Sequence, residues 1–423
     1  MRVESISLQR NAADVVRALA AATTRLALPG PAALLGDWFG SRAVIAPSVL
    51  IEPVAPAAAF DAPTGSGAAV GGGWFGHLSY PDRGADGRPP RIPEAAGGWS
   101  DCVLRQDRDG TWWYESLSGA AMPNWLISSL ESAAPHHDWH ISWGTADRDT
   151  HRRGVLNCLE AIAAGEIYQA CVCTQFHGEL TGTPLDFFAD AVTRTAPAKA
   201  AFLSGAWGAV ASLSPELFLR RDGERVTSSP IKGTAPLDLA PSTLLASAKD
   251  VAENIMIVDL VRNDLGRVAR TGSVTVPELL SIQPAPGVWH LVSTVQAHVD
   301  ATVPMREILQ ATFPPASVTG TPKSRARTLL REWEPDRRGI YCGTIGLASP
   351  AAGTELNVAI RTVEFTAAGA ATFGVGGGIT ADSDPDAEWQ ECLHKAAPTL
   401  GLSAATFTAP HHDQRADEKR NHP

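Results

Sequence analysis

One lysine in this sequence stands where an amine could act as a nucleophile. Lys232 lies in the stretch Pro-Ile-Lys-Gly-Thr at 230–234, and Glu216 precedes it in a Ser-Pro-Glu step. An uncharged lysine can form a bond with an electrophilic carbon, and a protonated glutamate can donate a proton to a leaving group. Both residue types are also common on solvated surfaces, so the pair alone leaves a surface role open.

Two acidic patterns could hold a divalent cation. Asp250 and Glu253 are three residues apart in a helical run, and Glu388, Glu391 and Lys395 repeat this arrangement at spacings of three and four. Residues at these spacings share one helix face. Two such helices with inward carboxylates could bind one hard cation and leave positions for water and a substrate. Each helix by itself is more typical of a solvated charged face.

A glycine-rich stretch at 374–383 directly precedes the second acidic pattern. Glycines let backbone N–H groups approach an anion, and the N-terminus of a following helix adds a favourable dipole. A glycine stretch alone is a weak signal, but its position beside the acidic helix places a candidate anion contact near the candidate cation site.

The composition restricts the kind of partner. The chain has 423 residues, 44% hydrophobic and 19% charged, with a net charge of -10. This charge provides no general attraction for nucleic acid or an anionic membrane, so an anionic substrate must meet a local cluster of cations. Six cysteines without a CxxC pair and an N-terminus without a long apolar run predict a reduced, cytoplasmic protein.

The elements that must position these residues follow from the hydrophobic pattern. We predict a helix from about His151 to Gly165, a strand at 166–173, a strand within 207–219, and a hairpin at Asp222-Gly223. We expect an N-terminal segment at 1–140 packed on the core and a catalytic domain at 145–405. The polar stretch at 409–423 is predicted to be a disordered tail.

The order of the motifs between about 150 and 400 resembles that of the chorismate-utilising enzymes. The matching segments are Gly-Glu-Ile-Tyr-Gln at 165–169, Ser-Pro-Glu at 214–216, Pro-Ile-Lys-Gly-Thr at 230–234, His-Leu-Val-Ser at 290–293, Ser-Val-Thr-Gly-Thr-Pro-Lys at 317–323, Ile-Tyr-Cys-Gly at 340–343, Asn-Val-Ala-Ile-Arg at 357–361 and the glycine stretch. The resemblance implies an α/β (α+β) fold in which antiparallel β-sheets pack as a sandwich with helices outside.

The resemblance also implies roles for individual residues. Glu253 and Glu391 would bind Mg²⁺, which would hold the ring carboxylate of chorismate, while Tyr341 and Arg361 would hold the enolpyruvyl carboxylate. The other implied substrate contacts are Gln169, Gly233, Thr234, Asp250, Ser317, Gly376, Gly377, Gly378, Glu388 and Lys395. Since chorismate is a dianion, an acidic protein needs such a local group of cations to bind it.

Lys232 resembles the lysine of the aminodeoxychorismate synthase branch of this family. By resemblance, it would add to ring C2 while Glu216 protonates the departing C4 hydroxyl, and ammonia would then enter at C4 and expel the lysine. Anthranilate synthases usually have alanine at this position. Gln169 stands where the water-adding members have a lysine base, which disfavours isochorismate formation. His290 would lie near the ring in either branch.

The expected reaction is therefore the formation of 4-amino-4-deoxychorismate from chorismate and ammonia, toward 4-aminobenzoate and folate. The sequence lacks a Gly-x-Cys-x-Gly nucleophile elbow, so we expect ammonia to come from a separate glutamine amidotransferase subunit or from free ammonium. Two alternatives stay open: anthranilate synthase component I, and a non-catalytic binding or regulatory subunit with the same fold.

Overall fold

The computed structural model describes residues 1–63, 65–81 and 89–404. The tail predicted at 409–423 lies outside these described residues. In chain order the strands are β1 (Arg2–Ile6), β2 (Ala32–Trp38), β3 (Ser41–Ala46), β4 (Glu52–Pro53), β5 (Gly73–Leu78), β6 (Ala95–Ser100), β7 (Cys102–Gln106), β8 (Trp112–Ser116), β9 (His140–Trp143), β10 (Gln169–Thr181), β11 (Lys199–Gly205), β12 (Gly208–Ser214), β13 (Leu217–Asp222), β14 (Arg225–Ser229), β15 (Ile231–Pro236), β16 (Thr275–Ala285), β17 (Val288–His298), β18 (Gly320–Thr321), β19 (Thr344–Ser349), β20 (Gly353–Asn357), β21 (Thr362–Thr366) and β22 (Ala370–Ile379).

Helices connect and cover the strands. They are α1 (Ala12–Arg25), α2 (Asn124–Glu131), α3 (Arg148–Ala163), α4 (Pro184–Thr195), α5 (Thr243–Ala246), α6 (Ala248–Gly266), α7 (Met305–Thr312), α8 (Lys323–Trp333) and α9 (Pro385–Leu400), with short 3₁₀ turns at Pro56–Ala58, Ala316–Val318 and Gly401–Ala404. Within the described part of the chain, no helix is long and apolar enough to cross a membrane.

The strands form two antiparallel sheets. The first sheet has twelve strands in the order β1-β8-β7-β3-β2-β11-β12-β21-β22-β10-β18, with β9 also pairing β10. The second has ten strands in the order β15-β17-β14-β13-β20-β19-β5-β6-β4, with β16 also pairing β17. Strands from residues 1–140 enter both sheets, so this segment shares its hydrogen bonding with the rest of the chain.

Alternating apolar side chains produce the layers. In β2, Leu34 faces a core between the two sheets, where it joins Phe75 and Ile345 of the second sheet. Its neighbour Leu35 faces the opposite side and packs in the core beneath α1 and α4. A third core lies between the second sheet and α6, which contributes Ile257. Because side chains alternate along a strand, each sheet can serve two cores. The predicted α/β sandwich with outer helices is confirmed.

The strand predicted within 207–219 is two strands in two different sheets. β12 pairs β11 and β21 in the first sheet, whereas β13 pairs β14 and β20 in the second. The break falls at Pro215-Glu216, because proline lacks the N–H that a central strand must donate. Apolar residues on both sides concealed this crossing, which places Glu216 between the sheets rather than within either one.

Other local predictions agree more closely with the structure. The helix predicted from about His151 is α3, which buries Val155, and the Asp222-Gly223 hairpin joins β13 to β14. The strand predicted at 166–173 begins later, at Gln169, and continues to Thr181 as β10. Its first residues instead form the connection from α3, which ends where Gly165 adopts a φ of 73°.

Candidate active site

A cavity of about 540 Å³ opens between β10, β15, β22, α6 and α9. Most of the side chains and glycines expected at the site line this cavity. They are Glu216, Lys232, Gly233, Thr234, Asp250, Glu253, His290, Ser317, Tyr341, Arg361, Gly376, Gly377, Gly378, Glu391 and Lys395. The remaining two, Gln169 and Glu388, are not among the lining residues. They lie behind Gly377 and Gly378 of β22, which we call the glycine wall.

A β-bulge presents Lys232 to the cavity. In β15, Ile231 pairs with Val292 and Thr234 pairs with His290, and the register shifts between these two pairs. Gly233 occupies the bulge with a φ of 86°, and a Cβ atom there would lie 3.1 Å from the Cβ atom of Asp250. A bulge redirects the side chain beside it. The Lys232 Nζ atom lies 3.8 Å from a carboxylate oxygen of Glu253.

Glu216 lies at the crossing between the sheets and is 4% exposed. Its backbone N–H donates to the Ser214 hydroxyl at 3.1 Å, which fixes the turn after Pro215. Burial raises the pKa of the Glu216 carboxyl to about 7, although a hydrogen bond with Ser317 and the charge of Lys232 oppose the rise. A carboxyl group with this pKa holds its proton at neutral pH in part of the molecules, as a general acid must.

Helix caps set the positions of the two acidic helices. Ser247 caps α6 by accepting a hydrogen bond from the backbone of Asp250, one turn before Glu253. Asp384 caps α9 with two backbone contacts, and Pro385 begins the helix. Such caps satisfy N–H groups that a first helical turn leaves unpaired. They therefore define where the carboxylates further along each helix enter the cavity.

The carboxylates of Glu253 and Glu391 differ in charge environment. Burial raises the pKa of Glu253, against the charges of Lys232 and Lys249. Burial would also raise the pKa of Glu391, but Lys395, which donates to it at 2.7 Å, holds that pKa below its ordinary value. Since each carboxylate also faces the other, a cation between them would favour the charged form of both.

The donor set fits Mg²⁺ better than a metal that requires a protein cage. Within residues 1–63, 65–81 and 89–404, no group of three or more His, Cys, Asp and Glu side chains is placed to hold a metal ion. Glu253 and Glu391 do face one cavity, and Mg²⁺ is commonly bound by one or two carboxylates with water and substrate oxygens as its other ligands. The two glutamates meet that requirement.

Glycines in β22 make room for the surrounding polar groups. A Cβ atom on Gly378 would lie 3.4 Å from both the Lys232 Nζ atom and a Glu253 oxygen, and 3.2 Å from the Gln169 Oε1 atom. A Cβ atom on Gly377 would lie 2.8 Å from the Glu388 Oε2 atom. The Gln169 Oε1 and Glu388 Oε2 atoms are both buried without a hydrogen-bond partner among the described residues. The glycine wall is therefore thin and has polar groups close behind it.

The opposite end of the cavity carries a cation and a buried phenol. Arg361 has a φ of 51° and lines the cavity between β20 and β21, and Tyr341 is 6% exposed. Burial raises the pKa of the Tyr341 phenol well above its usual value, so the phenol keeps its proton and can donate a hydrogen bond. An arginine and a phenol donor are suitable partners for a carboxylate.

His290 lies beside this end on β17. Its Nδ1 atom is 3.0 Å from the Thr234 hydroxyl, and its Nε2 atom is buried without a partner in the described part of the chain. Burial lowers the pKa of the imidazole to about 4, with a smaller effect from the charge of Arg361. His290 is therefore neutral near pH 7.

Comparison with known proteins identifies the family. The family model described as chorismate binding enzyme matches residues 57–401. The chain belongs to the chorismate binding enzyme family. It is 39% identical to aminodeoxychorismate synthase component 1 of Escherichia coli (strain K12) over 64% of this chain and 61% of that protein. It is 42% identical to aminodeoxychorismate synthase component 1 of Klebsiella aerogenes over 64% of this chain and 62% of that protein.

These matches have a limited extent. The chain spans about three fifths of the length of the two curated relatives. Among solved structures, anthranilate synthase component I from Streptococcus pneumoniae has a TM-score of 0.69 and 23% identity, covering 94% of this chain and 92% of that chain. At this identity the structural likeness supports the common fold of the chorismate binding enzymes. The resemblance to this family is confirmed.

Lys249 is a cavity residue that the sequence interpretation missed. It lines the cavity, and its Nζ atom donates to Glu388 at 3.1 Å, which joins α6 to α9. Its position four residues before Glu253 gave a signal, because residues at that spacing share one helix face. This spacing alone is a weak signal, since a lysine at the start of a helix is usually solvated.

Proposed function

We propose that this chain converts chorismate and ammonia to 4-amino-4-deoxychorismate, toward 4-aminobenzoate and folate. The observation that carries the proposal is the position of Lys232 in a chorismate binding fold, in a cavity shared with the buried acid Glu216. The names of the two curated relatives support the same reaction.

The chemistry of the two residues balances over one cycle. The uncharged Lys232 amine forms a bond to ring C2, the two conjugated ring double bonds shift, and the C4–O bond breaks. Glu216 donates its proton to the departing hydroxyl, which leaves as water. Ammonia then forms a bond to C4 while the C2–N bond breaks and returns an uncharged lysine. The new ammonium group gives one proton to Glu216, so the net reaction consumes chorismate and ammonia and yields the amine and water.

The proposed substrate pose uses the two ends of the cavity. Arg361 and Tyr341 bind the enolpyruvyl carboxylate, and the end formed by Glu253 and Glu391 receives the ring carboxylate. Mg²⁺ bound there would supply positive charge for that carboxylate. Lys249 joins α6 to α9 through Glu388, and Lys395 holds the Glu391 carboxylate within α9.

Binding of Mg²⁺ can be tested without turnover. Calorimetric titration with MgCl₂ should give a measurable affinity for the unchanged chain and a loss of at least about tenfold for Glu391→Gln. Glu332→Gln on α8 is the matched control, because Glu332 is exposed and lies outside the cavity. Equal affinities in the two variants would contradict the assignment of Glu391.

We also propose that ammonia comes from a separate glutamine amidotransferase subunit in the cytoplasm, or from free ammonium. The name component 1 in the two relatives supports a multi-component enzyme. All six cysteines are free thiols, which fits a reducing compartment.

The decisive experiment is incubation of the chain with chorismate, Mg²⁺ and ammonium at mildly alkaline pH, with identification of the product by mass and fluorescence. We expect an ammonia-dependent amine that keeps its enolpyruvyl group. Fluorescent anthranilate with free pyruvate would assign the chain to the anthranilate synthases, and isochorismate formed without ammonia would contradict the argument from Gln169. No turnover, with chorismate still bound, would favour a non-catalytic subunit.

A further inference from the structure

A second, smaller cavity adjoins the main one. Its volume is about 150 Å³, compared with about 540 Å³ for the main cavity. Six residues line both cavities and form the junction between them: Pro215, Ile231, Val288, His290, Arg361 and Pro398. The rest of the smaller cavity lies between the end of α4, at 195–198, and the hairpin that joins β16 to β17.

The two cavities differ in charge. Glu216, Asp250, Glu253 and Glu391 line the main cavity, whereas none of the described residues that line the smaller one is acidic. Its walls are mostly apolar, and Arg361 is the one charged residue among the described residues that line it. A cation would lose hydration there and meet a positive charge without a carboxylate in return. The smaller cavity therefore favours a small neutral molecule over ammonium, and it has room for several molecules the size of water.

A histidine with one unpaired ring nitrogen lies at the junction among the described residues. The His290 side chain is 5% exposed, its Nδ1 atom contacts the Thr234 hydroxyl at 3.0 Å, and its Nε2 atom has no partner among the described residues. In the neutral ring, when Nδ1–H donates to Thr234, Nε2 carries a lone pair that can accept a hydrogen bond. A buried acceptor of this kind is costly unless a ligand or water pairs with it.

We propose that the smaller cavity admits neutral ammonia to the main cavity, and that the Nε2 atom of His290 accepts a hydrogen bond from it at the junction. This assignment rests on the proposed function, since it supplies the second substrate of that reaction. It separates the two substrates by route: the dianion enters the large cavity with its cations and carboxylates, and the small neutral amine arrives through apolar walls.

The first test places a larger side chain in the smaller cavity. Ala285 ends β16 and lines the smaller cavity but not the main one, so Ala285→Leu should obstruct it. The matched control is Ala368→Leu, on the exposed turn between β21 and β22, away from both cavities. With initial rates analysed against free ammonia, we expect Ala285→Leu to raise the KM for ammonia by about fivefold or more and to change the KM for chorismate by less than about twofold.

An equal KM for ammonia in the two leucine variants would overturn the route. A parallel rise in both KM values, together with a lowered melting temperature, would also count against it, because that pattern indicates a distorted site.

The second test separates the two nitrogens of His290. His290→Asn can keep a polar atom near Nδ1 for Thr234 but loses the Nε2 acceptor, whereas His290→Gln can place an amide oxygen near the Nε2 position. We expect Asn to raise the KM for ammonia by about tenfold and Gln to restore much of that loss. If Asn and Gln behave alike toward ammonia, the assignment of Nε2 is wrong.

The unchanged chain separates failure of this inference from failure of the proposed function. If it forms no amine from chorismate at any ammonium concentration, the proposed reaction and the ammonia route are both wrong. If it forms the amine and the substitutions leave the KM for ammonia unchanged, the proposed reaction is supported and only the proposed ammonia route is wrong.

Discussion

Two lysine–carboxylate pairs along α6 have nearly the same exposure and very different surroundings. The Lys232 side chain, which lies beside Glu253, is 14% exposed. The Lys323 side chain, which lies beside Asp264, is 15% exposed. Lys323 donates to Asp264 at 2.5 Å and to the backbone carbonyls of Thr312 and Pro314 at 2.8 and 2.9 Å. In the described part of the chain, Lys232 makes the 3.8 Å ion pair and no hydrogen bond.

Burial alone does not identify a reactive lysine. Lys323 has as many acceptors as an ammonium group has hydrogens, so it is held in one position and stabilises the fold. Lys232 is equally enclosed, but its hydrogens are not committed to fixed acceptors. An amine with few fixed contacts can move toward a substrate at a smaller cost.

The largest expected effect comes from Lys232. Lys232→Met and Lys232→Arg should each lower kcat by at least about 10³-fold with little change in melting temperature, because neither side chain can form and release the bond to ring C2. Single-turnover assays with chorismate and ammonium measure this loss. Arginine keeps the charge beside Glu253, so turnover within about tenfold of the unchanged chain for Lys232→Arg would assign Lys232 an electrostatic role instead.

The opposite outcome is expected at the other pair. Lys323→Met should lower the free energy of unfolding by about 3–5 kcal/mol, because it leaves the buried Asp264 carboxylate without its cation. The double variant Lys323→Met with Asp264→Leu should recover most of this loss. Denaturant unfolding provides the measurement, and a loss below about 1 kcal/mol in the single variant would remove the contrast between the pairs.

At Glu216, function and stability should change in opposite directions. Glu216→Gln should lower kcat by about 10²-fold or more, since the amide cannot donate the proton to the C4 hydroxyl. The same change should raise the free energy of unfolding at pH 8 by up to about 3 kcal/mol, because it removes a buried carboxylate.

The sign of this stability effect depends on pH. The pKa of Glu216 is about 7 in the folded chain, against an ordinary value of 4.5. Below 4.5 the group is protonated in both states, so glutamine brings no electrostatic gain. Between 4.5 and 7 only the unfolded chain releases the proton, and the folded state loses stability as pH rises; above 7 the difference is constant. Glu216→Gln should therefore raise the free energy of unfolding more at pH 8 than at pH 4.5, as measured by unfolding curves at the two pH values. An increase in this free energy that does not depend on pH would contradict the raised pKa.

The smallest effect concerns the glycine wall. Gly378→Ala should lower kcat/KM for chorismate by about fivefold, because its Cβ atom would lie 3.2 Å from the Gln169 Oε1 atom, which must shift by tenths of an ångström, and would contact Lys232 and Glu253 at 3.4 Å. Gly266→Ala, at the end of α6 with open space around it, is the control. Equal kinetics in the two alanine variants would indicate that the position of Lys232 tolerates small shifts.

The parts of the site that local spacing encodes could be predicted from the sequence. Helical spacing predicted that the acidic residues of α6 and of α9 share one face of each helix, and family resemblance singled out Glu253, Glu391 and Lys232. The crossing at Pro215-Glu216 was missed, because apolar residues continue on both sides of it. The contact from Lys249 to Glu388 was also missed, since 139 residues separate them and only tertiary packing brings them together.

The order of strands in the first sheet has a consequence for how the chain folds during synthesis. β12 and β10 belong to one sheet, yet β21 and β22 lie between them. Until those two late strands leave the ribosome, the sheet exists as two pieces with open edges. Arg361, the glycine wall and α9 leave the ribosome in the same interval. We therefore expect a nascent chain of about 360 residues to expose aggregation-prone edges and to need protection by chaperones.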